Sequence, residues 1–284
     1  ATAVAIGYVA EGTRHIRVGA GGVMLPNHAP LIIAEQFGTL ASLYPDRIDL
    51  GIGRAPGTDQ ITAQALRRNL SGDIDHFPRD VMELMAYLDE AEEGQRVRAV
   101  PGAGTKVPIW ILGSSLYGAQ LAAMLGLPYA FASHFAPQMM MQAIDLYRSS
   151  FRPSEQLDKP YVMLGFTVCA APTDEEATYL RTSSLQAIIN LRKGTPGQLP
   201  PPVRDLSLTP EDEAIVASFG QCSAVGDQET VANSLQAFAE QTGADELMIA
   251  SQIFDHGARV RSYEILTQAY QSLMQSEVKE TSSV

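Results

Sequence analysis

The chain predicts a parallel α/β fold, a TIM (β/α)8 barrel, and three observations carry the prediction. Short apolar runs alternate with helical stretches along nearly the whole sequence. The runs are apolar on consecutive positions, and glycine or small hydroxyl residues follow several of them. Continuous apolar strands mark a sheet buried on both faces, and strand–helix alternation makes its strands parallel. About six βα units can be read this way. A barrel needs eight, so at roughly 30 residues per unit the reading places the first two units in about 55–65 residues ahead of Ala1.

Residues 1–12 read as the second half of an Ala-rich helix. A strand at 15–18 runs into Gly19-Ala20-Gly21-Gly22, where three glycines in four positions let the backbone approach a flat ligand. A helix fits 30–44, with Pro30 in its first turn and Phe37, Leu40, Ala41 and Tyr44 at i, i+3, i+4, i+7. A second strand at 47–52 empties into Gly53-Arg54-Ala55-Pro56-Gly57. This strand–helix–strand unit puts both loops at one C-terminal sheet edge, where α/β folds hold ligands.

Beyond a polar, possibly helical run at 60–69, residues 77–88 place Val81, Leu84, Met85 and Leu88 on one helix face. A strand at 107–112 ends in Gly113-Ser114-Ser115 and a helix begins at once. Another strand at 127–132 ends in Ser133-His134. A helix at 137–149 and a strand at 161–169 complete the next unit. A helix to about residue 192 precedes the Pro- and Gly-rich stretch 194–210, which suits an excursion or lid. Helices at 209–219 and 228–242, a strand at 246–251 and a helix at 258–273 close the chain.

Composition narrows the function. With 284 residues, 45% of them hydrophobic, the chain can fill one large barrel or two medium domains. No apolar stretch is long enough to span a membrane, and no export signal opens the sequence. A net charge of −12 disfavours nucleic acid as a partner. Cys169 and Cys222 lack metal-ligand spacing and suit buried free thiols in a reducing cytoplasm. No Gly-x-Gly-x-x-Gly follows a strand, so a dinucleotide domain of that kind is not expected.

Each candidate site residue has two readings. The glycines make tight turns or a ligand platform. Arg54 pairs with a neighbouring carboxylate or binds an anion. Ser114 and Ser115 cap a helix, or form an anion cup with its free N–H groups. His134 is a hydrogen-bonded rim residue or a base; His28 and His256 are weaker candidates.

Taken together, GAGGVMLPNHAPLIIAEQFGTL, RIDLGIGRAPG and WILGSSLYGAQLAAMLGLPYAFASHF resemble the bacterial-luciferase-like family of flavin-dependent monooxygenases. The similarity runs from Ala1 to about Tyr270 and is nearest to an uncharacterised single-chain branch. It implies one barrel domain with an insertion at 170–226, after the seventh strand. It also implies reduced FMN as cofactor, supplied by a separate flavin reductase, and oxidation of a small organic substrate by oxygen. By the same resemblance Gly21 and Gly22 pack on the flavin ring, and Arg54, Gly113, Ser114 and Ser115 hold its phosphate. His134 is then the remaining catalytic candidate, because the family's Glu-His-His motif has no counterpart here. A homodimer through the first two helices is implied as well. Rival readings are a deazaflavin-dependent dehydrogenase, a non-catalytic flavin-binding protein, and an unrelated sugar-phosphate barrel.

Overall fold

The computed structural model describes residues 1–54 and 76–281, so the polar run at 60–69 lies outside the described residues. In chain order the elements are α1 (Thr2–Glu11), β1 (Val18–Met24), α2 (Pro30–Leu43), β2 (Ile48–Gly53), α3 (Phe77–Leu88), β3 (Ile109–Gly113), α4 (Leu116–Leu125), β4 (Tyr129–Phe131) and α5 (Met140–Ser150). They continue with β5 (Val162–Ala170), α6 (Asp174–Arg192), α7 (Pro210–Phe219), β6 (Ser223–Gly226), α8 (Gln228–Thr242), β7 (Glu246–Ala250) and α9 (His256–Thr281). The chain resolves into two compact units, residues 1–130 with 142–161, and residues 131–141 with 162 onward.

In the first unit β1, β2 and β3 are parallel neighbours. Val18 stands opposite Ile48 and Met24 opposite Gly53, with an irregularity between Gly21 and Val23. Gly53 in turn stands opposite Leu112. The expected strand at 15–18 is therefore displaced: β1 begins at Val18 and runs through the glycines to Met24. They are strand rather than loop because β2 approaches too closely for side chains. A Cβ on Gly19 would meet the Asp49 carbonyl oxygen at 2.7 Å, and one on Gly22 the Gly51 carbonyl oxygen at 2.6 Å.

Leu50, Ile52 and Ile111 fill the interior, covered by Ile33, Ala34 and Phe37 of α2 and by Phe77, Val81, Leu84 and Leu88 of α3. Each such side chain contributes about 1.5–3 kcal/mol on burial. Phe37 is wholly buried inside this chain. The turn from α1 into β1 is clamped by Arg47. Its guanidinium donates to the carbonyls of Ile16 (2.9 Å), Thr13 (2.9 Å) and Ala10 (3.2 Å).

In the second unit β5 is flanked by parallel partners, pairing Thr167 with Ser223 of β6 and Met163 with Glu246 of β7. The four-residue β6 was not legible as a strand, since Ser223-Ala-Val-Gly226 is too short to show a period. Phe166 of β5 stacks on Phe238 of α8 at 4.6 Å between centroids. The helix starts are capped as their sequences suggest: Thr173 accepts from the Glu176 N–H, Thr209 and Asp212 form a reciprocal capping box, and Asp227 accepts from the Thr230 N–H.

Residues between α6 and α7 form a strap tied back by side chains. Gln186 Nε2 donates to the Pro201 carbonyl, and the Val203 N–H donates to Thr182 Oγ1. At the strap's ends Lys193 Nζ lies 2.7 Å from Asp212 Oδ1. The Lys193 ammonium, aided by the Thr209 hydroxyl and amide, holds the Asp212 carboxyl down at about 2. Its contribution to stability is present above the ordinary carboxylate value and disappears as the pH falls through the folded one. Asp212→Asn should therefore melt below the parent protein at neutral pH, with the gap closing between pH 3.8 and about 2. Melting curves across that range check this; a gap independent of pH contradicts it.

Candidate functional site

The ends of β1, β2 and β3 bring together six of the residues singled out in the sequence. Gly21 and Gly22 lie near the end of β1, joined by a cis peptide bond. Their surroundings differ: a Cβ on Gly22 would strike β2, whereas one on Gly21 would meet nothing within 4 Å. Gly21 therefore presents bare backbone to open space. Arg54 follows β2 directly, and its guanidinium carbon sits 4.2 Å from the centroid of the Tyr117 ring. Tyr117 is in the first turn of α4, so this cation–π contact parks a positive charge beside that helix start.

The β3–α4 turn supplies the rest. Ser115 is the N-cap residue, but its side chain makes no capping bond, so the simple capping role is corrected. The first-turn N–H groups of α4 are left as donors at the positive end of its dipole. Tyr129 braces the turn by donating to the Ser115 carbonyl at 3.1 Å. Gly113 and Gly118 lie against the Tyr129 ring, where an added Cβ would come within 3.8 and 3.3 Å respectively. Burial raises the Tyr129 pKa, keeping its hydroxyl protonated as a donor. A guanidinium, two small hydroxyl residues and a helix start without a side-chain cap thus lie together, a combination chemically able to hold an anion.

His134 belongs to the second unit. Its ring lies on the backbone of Gly165, in contact through Nδ1 with the space a Cβ would need, and edge-on to Phe135 at 5.1 Å. Ser133 anchors this turn by donating to the Gly165 carbonyl at 2.7 Å. Nδ1 is buried without a hydrogen-bond partner among the described residues, and burial lowers the ring's pKa. Burial thus disfavours the charged imidazolium here. His256 instead meets Arg259 Nη2 at 3.1 Å, and His28 is exposed.

His134 lines a cavity of about 290 Å3 together with Cys169, Arg181, Ser184, Ile188 and Gln252. Both cysteines are free and buried, as their spacing suggested. Burial pushes the thiols of Cys169 and Cys222 up to about 12 and about 11, so neither is a nucleophile. Sequence reasoning missed Tyr117, Tyr129 and Arg181. For Arg181 a signal existed, because it shares a helical face with the buried Ala177, Leu180 and Ser184. Among the described residues no His, Cys, Asp and Glu group could hold a metal ion. No described helix is long and apolar enough to cross a membrane.

Comparison with known proteins adds a family. The profile described as luciferase-like monooxygenase matches residues 1–246. A luciferase-like monooxygenase of Escherichia coli K12 is 54% identical over 276 residues, covering 96% of this chain and 82% of that protein. The crystal structure of apo-MsnO8 is similar with a TM-score of 0.84 and 35% identity, over 95% of this chain and 82% of that one. The oxygenating constituent of 3,6-diketocamphane monooxygenase from the Pseudomonas putida CAM plasmid, a type II Baeyer–Villiger enzyme in complex with FMN, gives 0.66 at 19% identity. That alignment covers 94% of this chain and 82% of the other.

The two glycines make separable predictions. Gly22→Ala forces a methyl group into the β2 backbone and should destabilise the protein by about 1–3 kcal/mol. Gly21→Ala meets open space and should leave the melting temperature nearly unchanged. Chemical denaturation of both variants checks this, and equal losses would refute the asymmetry.

Proposed function

The chain belongs to the luciferase-like monooxygenase family, and on that premise we propose that it is an FMN-dependent monooxygenase oxidising a small organic substrate. The observation that carries the cofactor assignment is Arg54, stacked on Tyr117 at the uncapped start of α4. A phosphate monoester fits that cradle, and the open backbone at Gly21 leaves space for a flat ring. Reduced FMN, when bound, supplies the electron pair with which one atom of dioxygen enters the substrate and the other leaves as water.

This chain's own residues then have distinct tasks. Arg54, Ser114, Ser115 and the first N–H groups of α4 hold the phosphate, with Gly113 allowing Tyr129 to brace the turn from behind. Gly21 and Gly22 keep side chains away from the ring. His134, whose ring burial disfavours the charged form, takes or returns a proton through its other ring nitrogen. As the family resemblance implies, FMN would arrive reduced from a separate flavin reductase. The parallel strands fit a (β/α)8 barrel, and the free buried thiols fit a reducing cytoplasm.

A homodimer is part of the same proposal, through a face of α1 and α2 on which Val4, Tyr8, Ile32 and Leu43 are all more than half exposed. Tyr8→Glu combined with Ile32→Glu should give monomers in analytical ultracentrifugation, and an unchanged sedimentation coefficient would rule this face out.

The activity is tested by anaerobic titration with reduced FMN followed by a pulse of oxygen in a stopped-flow instrument. Saturable binding, then a transient absorbance belonging to neither reduced nor oxidised flavin, is the expected result. Tighter binding of a reduced deazaflavin, with no reaction toward oxygen, would point instead to hydride transfer. Flavin binding with no oxygen consumption above background would mark a non-catalytic binding protein. Arg54→Ala should weaken reduced FMN by about 1.5–3 kcal/mol, the worth of a hydrogen bond to a charged group. An unaltered dissociation constant would remove the phosphate role.

A further inference from the structure

The cavity beside His134 contains a charge that nothing in its surroundings balances. Arg181 projects from α6 into it and is half-buried. Its guanidinium has no hydrogen bond and no ion pair among the described residues. The nearest ionisable group acting on it is the Cys169 thiol, which is protonated because burial holds its pKa at about 12. The carboxylates closest in sequence are engaged or turned to solvent. Asp174 accepts from the Asp227 N–H, Glu175 and Glu176 lie in the exposed first turn of α6, and Asp212 is taken by Lys193. Withdrawing a guanidinium from water without a counter-ion is unfavourable by several kcal/mol unless an anion is eventually supplied.

The remaining walls define that anion. Leu185, Ile188 and Val225 give the cavity an apolar side, while Ser184, Gln252 and His134 give it a polar one. About 290 Å3 lies at the small end of ligand pockets. A guanidinium matches a planar carboxylate with two parallel hydrogen bonds, which an ammonium cannot do.

We propose that this cavity is a binding site for a short-chain organic carboxylate, its carboxyl group held by Arg181 and its chain against Leu185 and Ile188. The acid's further identity as the substrate that is oxidised rests on the monooxygenase assignment; its binding does not.

The test is isothermal titration calorimetry of the flavin-free full-length protein with hexanoate, using hexanamide as the uncharged equivalent. Hexanoate should bind saturably and at least about tenfold more tightly than hexanamide. Arg181→Gln should abolish that preference while keeping the melting temperature and the affinity for reduced FMN, and Arg181→Lys should restore it in part. Equal affinities for the acid and the amide, an unaffected Arg181→Gln variant, or no saturable binding would each overturn the proposal. Reduced FMN binding without hexanoate binding removes this site and leaves the monooxygenase assignment standing; hexanoate binding without FMN binding does the reverse.

Discussion

The first unit depends on how closely β1 and β2 approach one another. Three glycines make that approach possible, and each faces the backbone of the opposite strand. Gly19 faces Asp49, Gly22 faces Gly51, and a Cβ on Gly51 itself would collide with the Ala20 carbonyl oxygen. The pairing therefore excludes side chains on the inner side of the contact. This close pairing brings the ends of β1 and β2 level with β3, with Gly53 opposite both Met24 and Leu112. The residues proposed to hold the flavin phosphate stand at and just beyond those strand ends.

Much of this was legible in the sequence because the relevant signals are local. The helix at Phe77–Leu88 follows from apolar residues at helical spacing, and Gln228–Thr242 from an Asp cap at one end and a left-handed glycine at the other. Gly21, Arg54 and Ser114 stood out because each follows or ends an apolar run. What escaped notice depends on pairing across the fold. The start of β1 was misjudged because a run of glycines looks like a loop unless its partner strand is known. β6 was too short to carry a pattern. Arg181 was passed over because a charge on a helix is ordinarily solvated, although the small and apolar residues on its face of α6 hinted otherwise.

Charge is distributed in a way that composition conceals. The chain carries a net −12, yet neither Arg54 nor Arg181 pairs with a carboxylate among the described residues. Other arginines are used structurally, Arg17 against Asp49 at 2.8 Å and Arg261 against Glu264 at 2.9 Å. An acidic surface repels anions at long range, so anion binding at either proposed site would rely on short-range geometry: a stacked guanidinium at a helix start in one case, a largely desolvated one in the other. The opposite treatment of Cys169, whose burial favours the protonated thiol, leaves Arg181 as the charged group in the cavity wall.

The strap between α6 and α7 has an evolutionary consequence. Pro196 and Gly197 from this stretch reach the wall of the cavity, but the stretch is fastened through two side-chain bonds, at Thr182 and Gln186, rather than through a strand ladder. Its length and sequence can drift while the parallel strands, with their unforgiving glycine contacts, stay unchanged. Selection for a new small molecule would find its raw material there, leaving the close-packed strands of the first unit untouched.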